Sequence, residues 1–511
     1  MKLPESSYTP FTHLTEFNED FFLIVHRALV EKSELGNLSV IENVERSGDF
    51  FSFTYKHIFN TVALIEEKMV AAGLANQKLV PILTSNPFDL ILSILGLWST
   101  RAIPVPLNIH LLRKDLEEQI TFLKAEDIIC ETSFTENFPS LKKFSFPKTS
   151  LANKKVTTEL NMSDTAVVLF TSGTGGRPKG IPLNFTNLVA AFKAGTTILN
   201  YAKNDSWYLN LPLYHIGGFS ILVRAILAGS RIIIPESNEL ASLKINMEKV
   251  KPTIVSLVPT QLKRICENKI QPNKEMRAAL IGGGFSNETV LSQASALGWN
   301  NYKVYGSTET AAFITALTPV DLQKKTKSVG KPLDGVEIKI FDEQKNPLPI
   351  NEVGEIGIIA PSVLKEYLHN EEVSNSSFHN TYYLTGDFGY LDSDGYLYLE
   401  NRRTDLIVSG GENISPIEIE NVISQFENID EVCVFGLPDN EWGEVVSVAV
   451  SARNKREVNI HALKIFLKEK LPSFKIPKKY FQVEEFPKSA IGKIKRAEIK
   501  ELFKGVVSSH T

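Results

Sequence analysis

Residues 166–180 read Ala166-Val167-Val168-Leu169-Phe170-Thr171-Ser172-Gly173-Thr174-Gly175-Gly176-Arg177-Pro178-Lys179-Gly180. The first five are apolar and β-prone, which is the signature of a strand covered on both faces in a helix-flanked sheet. The next ten combine four glycines, the hydroxyls of Thr171, Ser172 and Thr174, and the cations Arg177 and Lys179. Glycine lets backbone N–H groups crowd around an anion without a Cβ in the way. The hydroxyls add donors to phosphate oxygens, and the cations offset the negative charge. The segment is not a Walker A loop, because Pro178 stands where GxxxxGK[ST] needs glycine, and GxGxxG does not fit. A solvated surface loop is the plain alternative. The buried strand directly before it favours a phosphate cradle.

Outward from this stretch the same texture continues. Short apolar runs at 231–234, 253–258, 278–281 and 303–305 alternate with longer helical stretches over the first 330 residues. That alternation predicts an α/β class with doubly wound parallel sheets, whose ligands bind in the crevice beyond the carboxyl ends of the strands. From Gly335 the runs GVEIKIF and GEIGIIA, separated by Asp342, Asn346, Pro347 and Pro349, predict a small antiparallel β unit. After YLYLE, ending at Glu400, comes NRRTD and then a segment with its own strands and helices. The domains are therefore expected at 1–401 and 402–511, the second a small α+β unit. Ser415-Pro416-Ile417-Glu418 reads as a helix start, with Ser as N-cap, Pro in the first turn and Glu closing a capping box.

Bulk properties narrow the function classes. A chain of 511 residues exceeds one ordinary core. Its 55 Lys and Arg against 59 Asp and Glu leave a net charge of −4, so no global basic footprint for nucleic acid or an anionic membrane exists. Cys130, Cys266 and Cys433 are far apart and form no CxxC pair, which argues against a disulfide framework or structural zinc. The N-terminal residues lack a signal-peptide apolar core, and the most apolar stretch, 219–235, is interrupted by Arg224, Gly229 and Arg231. The expectation is a cytoplasmic protein without membrane insertion. The oligomeric state is open, a homodimer included.

The glycine-rich loop resembles the signature of the adenylate-forming superfamily, which contains acyl-CoA synthetases, luciferases and the adenylation domains of peptide synthetases. Members usually carry Thr or Ser where this chain has Gly175, so one hydroxyl donor is missing. Further motifs follow in family order between 171 and 496. Leu211-Pro212-Leu213-Tyr214-His215-Ile216-Gly217-Gly218 is similar to the segment whose histidine lines the acid pocket. Ile281-Gly282-Gly283-Gly284 ends a strand with bare backbone where a flat adenine would lie. Tyr305-Gly306-Ser307-Thr308-Glu309-Thr310 resembles the YGxTE motif, Tyr382-Tyr383-Leu384-Thr385-Gly386-Asp387 the TGD segment, and Arg402 the nucleotide-contacting arginine. Two residues on, members carry Asp or Lys as the hinge pivot, whereas this chain has Thr404 followed by Asp405. Ser409-Gly410-Gly411-Glu412-Asn413-Ile414 resembles the pantetheine-tunnel loop, and the segment from Pro487 to Arg496 the terminal motif with its catalytic lysine at Lys493.

The resemblance implies carboxylate activation by ATP with Mg²⁺, followed by acyl transfer to a thiol. ATP would be held by Thr171, Ser172, Gly173, Thr174, Gly175, Gly176, Lys179, Gly283, Gly284, Tyr305, Gly306, Thr308, Asp387, Arg402 and Lys493. Tyr305 would stack on adenine, Thr308 would bond the α-phosphate, Glu309 would hold Mg²⁺ and Asp387 the ribose hydroxyls. His215, Gly282 and Ser307 would face the acid, and Gly410, Gly411 and Glu412 the coenzyme A. A mobile C-terminal lid would swap Lys493 for the Gly410–Glu412 loop between half-reactions. With no carrier domain after Thr511, free coenzyme A is the expected acceptor. Residues 211–222, 256–262, 280–284 and 327–332 look most like the o-succinylbenzoate–CoA ligase branch, of menaquinone biosynthesis. Arg224 and Lys263 are cations for a second carboxylate, or surface residues. A medium-chain or aryl acyl-CoA ligase and a non-catalytic nucleotide-binding relative stay open as alternatives.

Overall fold

The computed structural model describes residues 22–32, 45–144, 160–172, 178–284, 288–402, 407–452, 457–487, 494 and 496–507. Among them, six strands run parallel through the middle of the largest sheet: Asn301–Ser307, Ala278–Ile281, Ile254–Leu257, Ser206–Tyr208, Arg231–Ile234 and Phe22–His26. Antiparallel strands close its edges, with Ala312–Leu317 and Lys331–Pro332 on one side and Phe50–Thr54 and Glu45–Ser47 on the other. The apolar runs expected as parallel strands are these strands, and they are buried because helices cover both faces. A second parallel sheet joins Ile103–Pro106, Leu79–Leu83, Asp127–Cys130 and Lys142–Phe144.

The strand that opens the glycine-rich segment departs from expectation. Thr165–Ser172 joins neither parallel sheet; it pairs antiparallel with Pro178–Asn184, which sets Thr171 opposite Lys179. The reason is length. Parallel neighbours need a crossover of a dozen or more residues, and residues 173–177 are too few. Its burial comes from packing: Val168 shares a core with Ile103, Val105 and Ile128 of the second parallel sheet. Trp98, on helix Pro87–Ser99, which is buried from Phe88 onward, donates its indole N–H to Ala166 O at 2.7 Å and meets Phe185 and Phe219 edge-on. Truncating such a ring in a close-packed core costs about 3–5 kcal/mol. Helix Phe185–Leu199 then starts at Asn184 with a reciprocal Asn184–Asn187 capping box.

The antiparallel unit follows as expected, from Glu337–Phe341, Gly354–Ile359, Phe378–His379, Tyr382–Leu391 and Leu397–Arg402. Beyond it, Ile407–Ser409, Glu412–Ile414, Ile429–Asp439, Gly443–Ala452 and Lys479–Gln482 form a separate sheet. Helices Pro416–Ile423, Ile460–Lys470 and Arg496–Val507 accompany it, and Ile407, Ile419, Val434, Val448 and Leu463 fill a core of its own. The helix at Pro416 starts where expected, but without the capping box. Ser415 is buried and caps nothing, while Glu418 binds Lys475 Nζ at 2.6 Å. Leaving a buried ammonium unpaired costs about 3–5 kcal/mol against roughly 1 kcal/mol for a lost cap, so the ion pair wins. Among the described residues no helix is long and apolar enough to cross a membrane.

Candidate active site

The motifs converge at the carboxyl ends of the parallel strands. Ala278–Ile281 runs into Gly282, Gly283 and Gly284, and Gly283 has φ +76°. Asn301–Ser307 runs into the single helical turn Thr308–Thr310. Between them Gly306 is dictated by packing: a Cβ there would lie 2.0 Å from Ala312 O, because the register to Ala312–Leu317 shifts at Tyr305 and Gly306. Tyr305 is buried and donates its hydroxyl to Asp387 Oδ2 at 2.8 Å. Asp387 sits opposite Arg402 in the antiparallel unit. Three motifs separated by up to a hundred residues thus meet through one hydrogen bond and one strand pairing.

Glu309 forms a second cluster. Its Oε1 accepts a bond from Tyr367 Oη at 3.2 Å, and that phenol lies 3.4 Å from Tyr383 Oη. Lys179, from the strand returning out of the glycine-rich loop, sets its Nζ 5.3 Å from the centre of the Tyr367 ring. Burial, with the nearby Glu309 charge, pushes both phenols above their ordinary range, so they stay protonated donors. Among the described residues no trio of His, Cys, Asp or Glu surrounds a metal-sized space. A single carboxylate such as Glu309, near the strand that returns from the glycine-rich segment, fits Mg²⁺ that arrives with nucleotide, since that ion is held by one or two carboxylates plus substrate phosphates.

A third cluster joins the two sheets' domains. His215 precedes helix Ile216–Ala228, and its Nε2 lies 3.3 Å from both carboxylate oxygens of Glu412. Burial acts to raise the Glu412 pKa, but the His215 hydrogen bond and charge, with the charges of His110 and Lys475, outweigh it and the net shift is downward. Gly410 and Gly411 have φ +61° and +94°, and a Cβ on Gly410 would meet the Trp442 ring at 2.8 Å. These left-handed turns carry the loop against Val258, while a Cβ on Gly284 would sit 3.3 Å from Val408 Cγ1. The loop resembling a pantetheine border therefore stands against His215.

The two candidate cations part company. Lys263 is a domain-interface residue, bonded to Asn440 Oδ1 at 3.0 Å and near Glu267. Arg224 is 4% exposed, and its guanidinium lies 4.7, 5.6 and 6.0 Å from the Phe313, Trp207 and Tyr201 rings. Among the described residues no carboxylate reaches it, and burial lowers its pKa. Phe313 stands opposite Gly306 in the sheet, so this cation lies behind the YGxTE-like segment.

Lys493, residues 173–177 and the hinge residues 403–406 lie outside the described residues, as does the Arg402 side chain. The Ser172 side chain lies outside them too, while its backbone pairs with Pro178. Sequence reasoning missed Tyr367 altogether. It stands in Glu366-Tyr367-Leu368-His369 with no periodic or motif signal, and only folding brings it to Glu309.

Residues 38–368 match the model of the AMP-binding enzyme family, and residues 418–493 match that of the AMP-binding enzyme C-terminal domain. The 2-succinylbenzoate–CoA ligase of Listeria monocytogenes is 32% identical over 88% of this chain and 94% of its own length. The o-succinylbenzoate CoA synthetase (MenE) of Bacillus subtilis, a double mutant bound to the product analogue OSB-NCoA, superposes with TM-score 0.83 at 28% identity, covering 88% of this chain and 94% of that one. The same synthetase in complex with the acyl-adenylate intermediate OSB-AMP gives TM-score 0.67 at 27% identity, covering 93% of this chain and 98% of that one. The sequence match, its coverage and the shared fold agree: this chain belongs to the AMP-binding enzyme family, the adenylate-forming enzymes.

Proposed function

We propose that this chain is an ATP-dependent 2-succinylbenzoate–CoA ligase of menaquinone biosynthesis, acting in the cytoplasm on a dicarboxylic aromatic acid. In the first half-reaction a carboxylate oxygen of the acid attacks the α-phosphorus of ATP, a P–O bond forms, and the bond to pyrophosphate breaks. The obstacle is electrostatic, since an anion approaches a polyanion while charge grows on the transferring phosphoryl. Lys179 and the hydroxyls of Thr171 and Thr308 hold the phosphates, and Lys493 meets the growing charge. Glu309 would hold Mg²⁺, which would supply neutralisation of phosphate charge. Asp387 and Arg402 hold the ribose and Tyr305 the adenine. In the second half-reaction the thiol of coenzyme A gives up its proton and attacks the acyl carbon, and AMP leaves.

The two half-reactions call for different faces of the C-terminal domain, pivoting in 402–405. In the arrangement described above, Glu412 faces His215, and Ile494, next to Lys493, packs with the C-terminal core residues around Phe435 and Ile499. The higher TM-score to the OSB-NCoA complex than to the OSB-AMP complex supports reading this as the thioester-forming arrangement.

The observation that carries the choice of acid is Arg224, a buried guanidinium that no carboxylate reaches among the described residues, ringed by aromatic side chains. A buried cation requires an anion to offset its desolvation, and the second carboxylate of 2-succinylbenzoate supplies one beside an aromatic ring. The test is acid-dependent pyrophosphate release, with mass-spectrometric detection of the CoA thioester. 2-Succinylbenzoate is expected to turn over best. Preference for benzoate or octanoate would move the assignment to an aryl or medium-chain ligase, and no acid-dependent release would leave a nucleotide-binding relative.

A further inference from the structure

The stretch between the antiparallel strands, around 361–368, ties together parts of the site that lie far apart in the chain. Leu364 N–H donates to Glu309 O at 2.8 Å, and Leu368 N–H donates to Gly180 O at 2.9 Å. Asn187 anchors the same stretch from the helix behind the glycine-rich hairpin, its Nδ2 donating to Pro361 O at 3.0 Å and Val363 O at 2.8 Å. Tyr367 is the side chain at the centre of this strap. It is 5% exposed; its backbone N–H is held by Ser374 Oγ at 2.9 Å, and its hydroxyl and ring face address two different phosphate-handling residues.

Resting on the ligase reading above, we propose that Tyr367 is a positioning residue for magnesium-bound ATP. Its hydroxyl turns the Glu309 carboxylate toward the phosphate site, and its ring face seats the Lys179 ammonium beside the same site. Glutamate and lysine are long, and each loses rotamer freedom when it is ordered against a ligand. A buried phenol that holds the carboxylate by one oxygen leaves the other for the metal, and lone-pair geometry then fixes its direction. The Tyr383 hydroxyl, 3.4 Å from the Tyr367 hydroxyl, backs it from the strand that carries Asp387. An electron-rich ring face attracts an ammonium without neutralising it, so Lys179 keeps its charge for phosphate.

The test is Tyr367→Phe, which retains the ring and its burial and removes one oxygen. ATP binding is titrated by calorimetry at rising Mg²⁺, without any acid, and again without Mg²⁺; the Mg²⁺ dependence of pyrophosphate exchange is measured beside it. The Mg²⁺ concentration for half-maximal binding and exchange is expected to rise about 10-fold or more, with Mg²⁺-free ATP affinity within about twofold of wild type. An unchanged Mg²⁺ requirement overturns the proposal, and so does an equal loss of Mg²⁺-free binding, which marks a role in structure alone. Because binding is read without acid, failure of 2-succinylbenzoate to turn over in the wild-type enzyme would sink the ligase reading and leave this test intact.

Discussion

Replacing Arg224 by methionine separates what a buried charge does for substrate from what it does for the fold. The guanidinium is 4% exposed and touches three aromatic rings, and no carboxylate reaches it among the described residues. Opposite unit charges at ~4 Å attract by about 4 kcal/mol at an effective dielectric near 20. Both ions surrender water on meeting, so the net worth of a charge-assisted pair is smaller, about 1.5–3 kcal/mol. The smaller figure decides the expectation: kcat/KM for 2-succinylbenzoate falls about 10- to 100-fold. Stability goes the other way. Exchanging a buried charge for an apolar side chain of similar volume is neutral or stabilising by about 1–4 kcal/mol, offset in part by lost cation–ring contacts of about 0.5–2 kcal/mol. Tm is therefore expected to hold or rise while activity drops. The assay is pyrophosphate release with 2-succinylbenzoate and with benzoate, which lacks the second carboxylate, alongside calorimetric melting. Benzoate should be affected by no more than about threefold, because it has no charge to lose at this site. Equal losses for both acids, or a collapse in Tm, would refute the assignment of Arg224 to the second carboxylate.

Three further perturbations probe the other clusters. Lys493→Ala should slow adenylation by ~10²–10³ and spare thioester formation from a supplied acyl-adenylate; a stopped-flow comparison of the two half-reactions with equal losses would remove Lys493 from its role. Glu412 has a depressed pKa, so the stability it lends to domain docking is complete above the ordinary glutamate value of about 4.3 and is lost as pH falls through the lower folded value. Small-angle scattering should show the molecule opening in that acidic range, with a weaker step in Glu412→Gln, and identical curves for the two proteins would exclude the contact. Gly306→Ala would drive a methyl to 2.0 Å from Ala312 O; since backbone cannot yield as a side-chain tip does, it should destabilise the protein by about 1–3 kcal/mol or more in urea unfolding, and an unchanged midpoint would mean that the strand register there differs.

The candidate site residues could be named from the sequence because their chemistry is local. A cluster of glycines, hydroxyls and cations announces an anion cradle wherever it stands, and the apolar runs at 231–234 and 278–281 coincide with their strands to the residue. Capping at Ser415 failed because a local rule lost to a longer-range one: Lys475, far along the chain, claims Glu418. The strand at 165–172 misled for a related reason: it pairs with Pro178–Asn184, while its burial comes from packing against Trp98 and against Ile103 and Val105 of the second parallel sheet.

What the sequence determined by itself was the set of reactive groups and the order in which they occur, because backbone freedom at glycine, charge at lysine and carboxylate basicity at Asp387 or Glu309 belong to the residues. What the tertiary structure alone decided was their company. Burial strips Arg224 of water and rings it with aromatic side chains, the strap through 361–368 delivers Tyr367 to Glu309, and the docking of two domains brings Glu412 to His215. Those pairings cross gaps of 58 and 197 residues, and over such distances only the packing of whole sheets and helices determines which side chains meet.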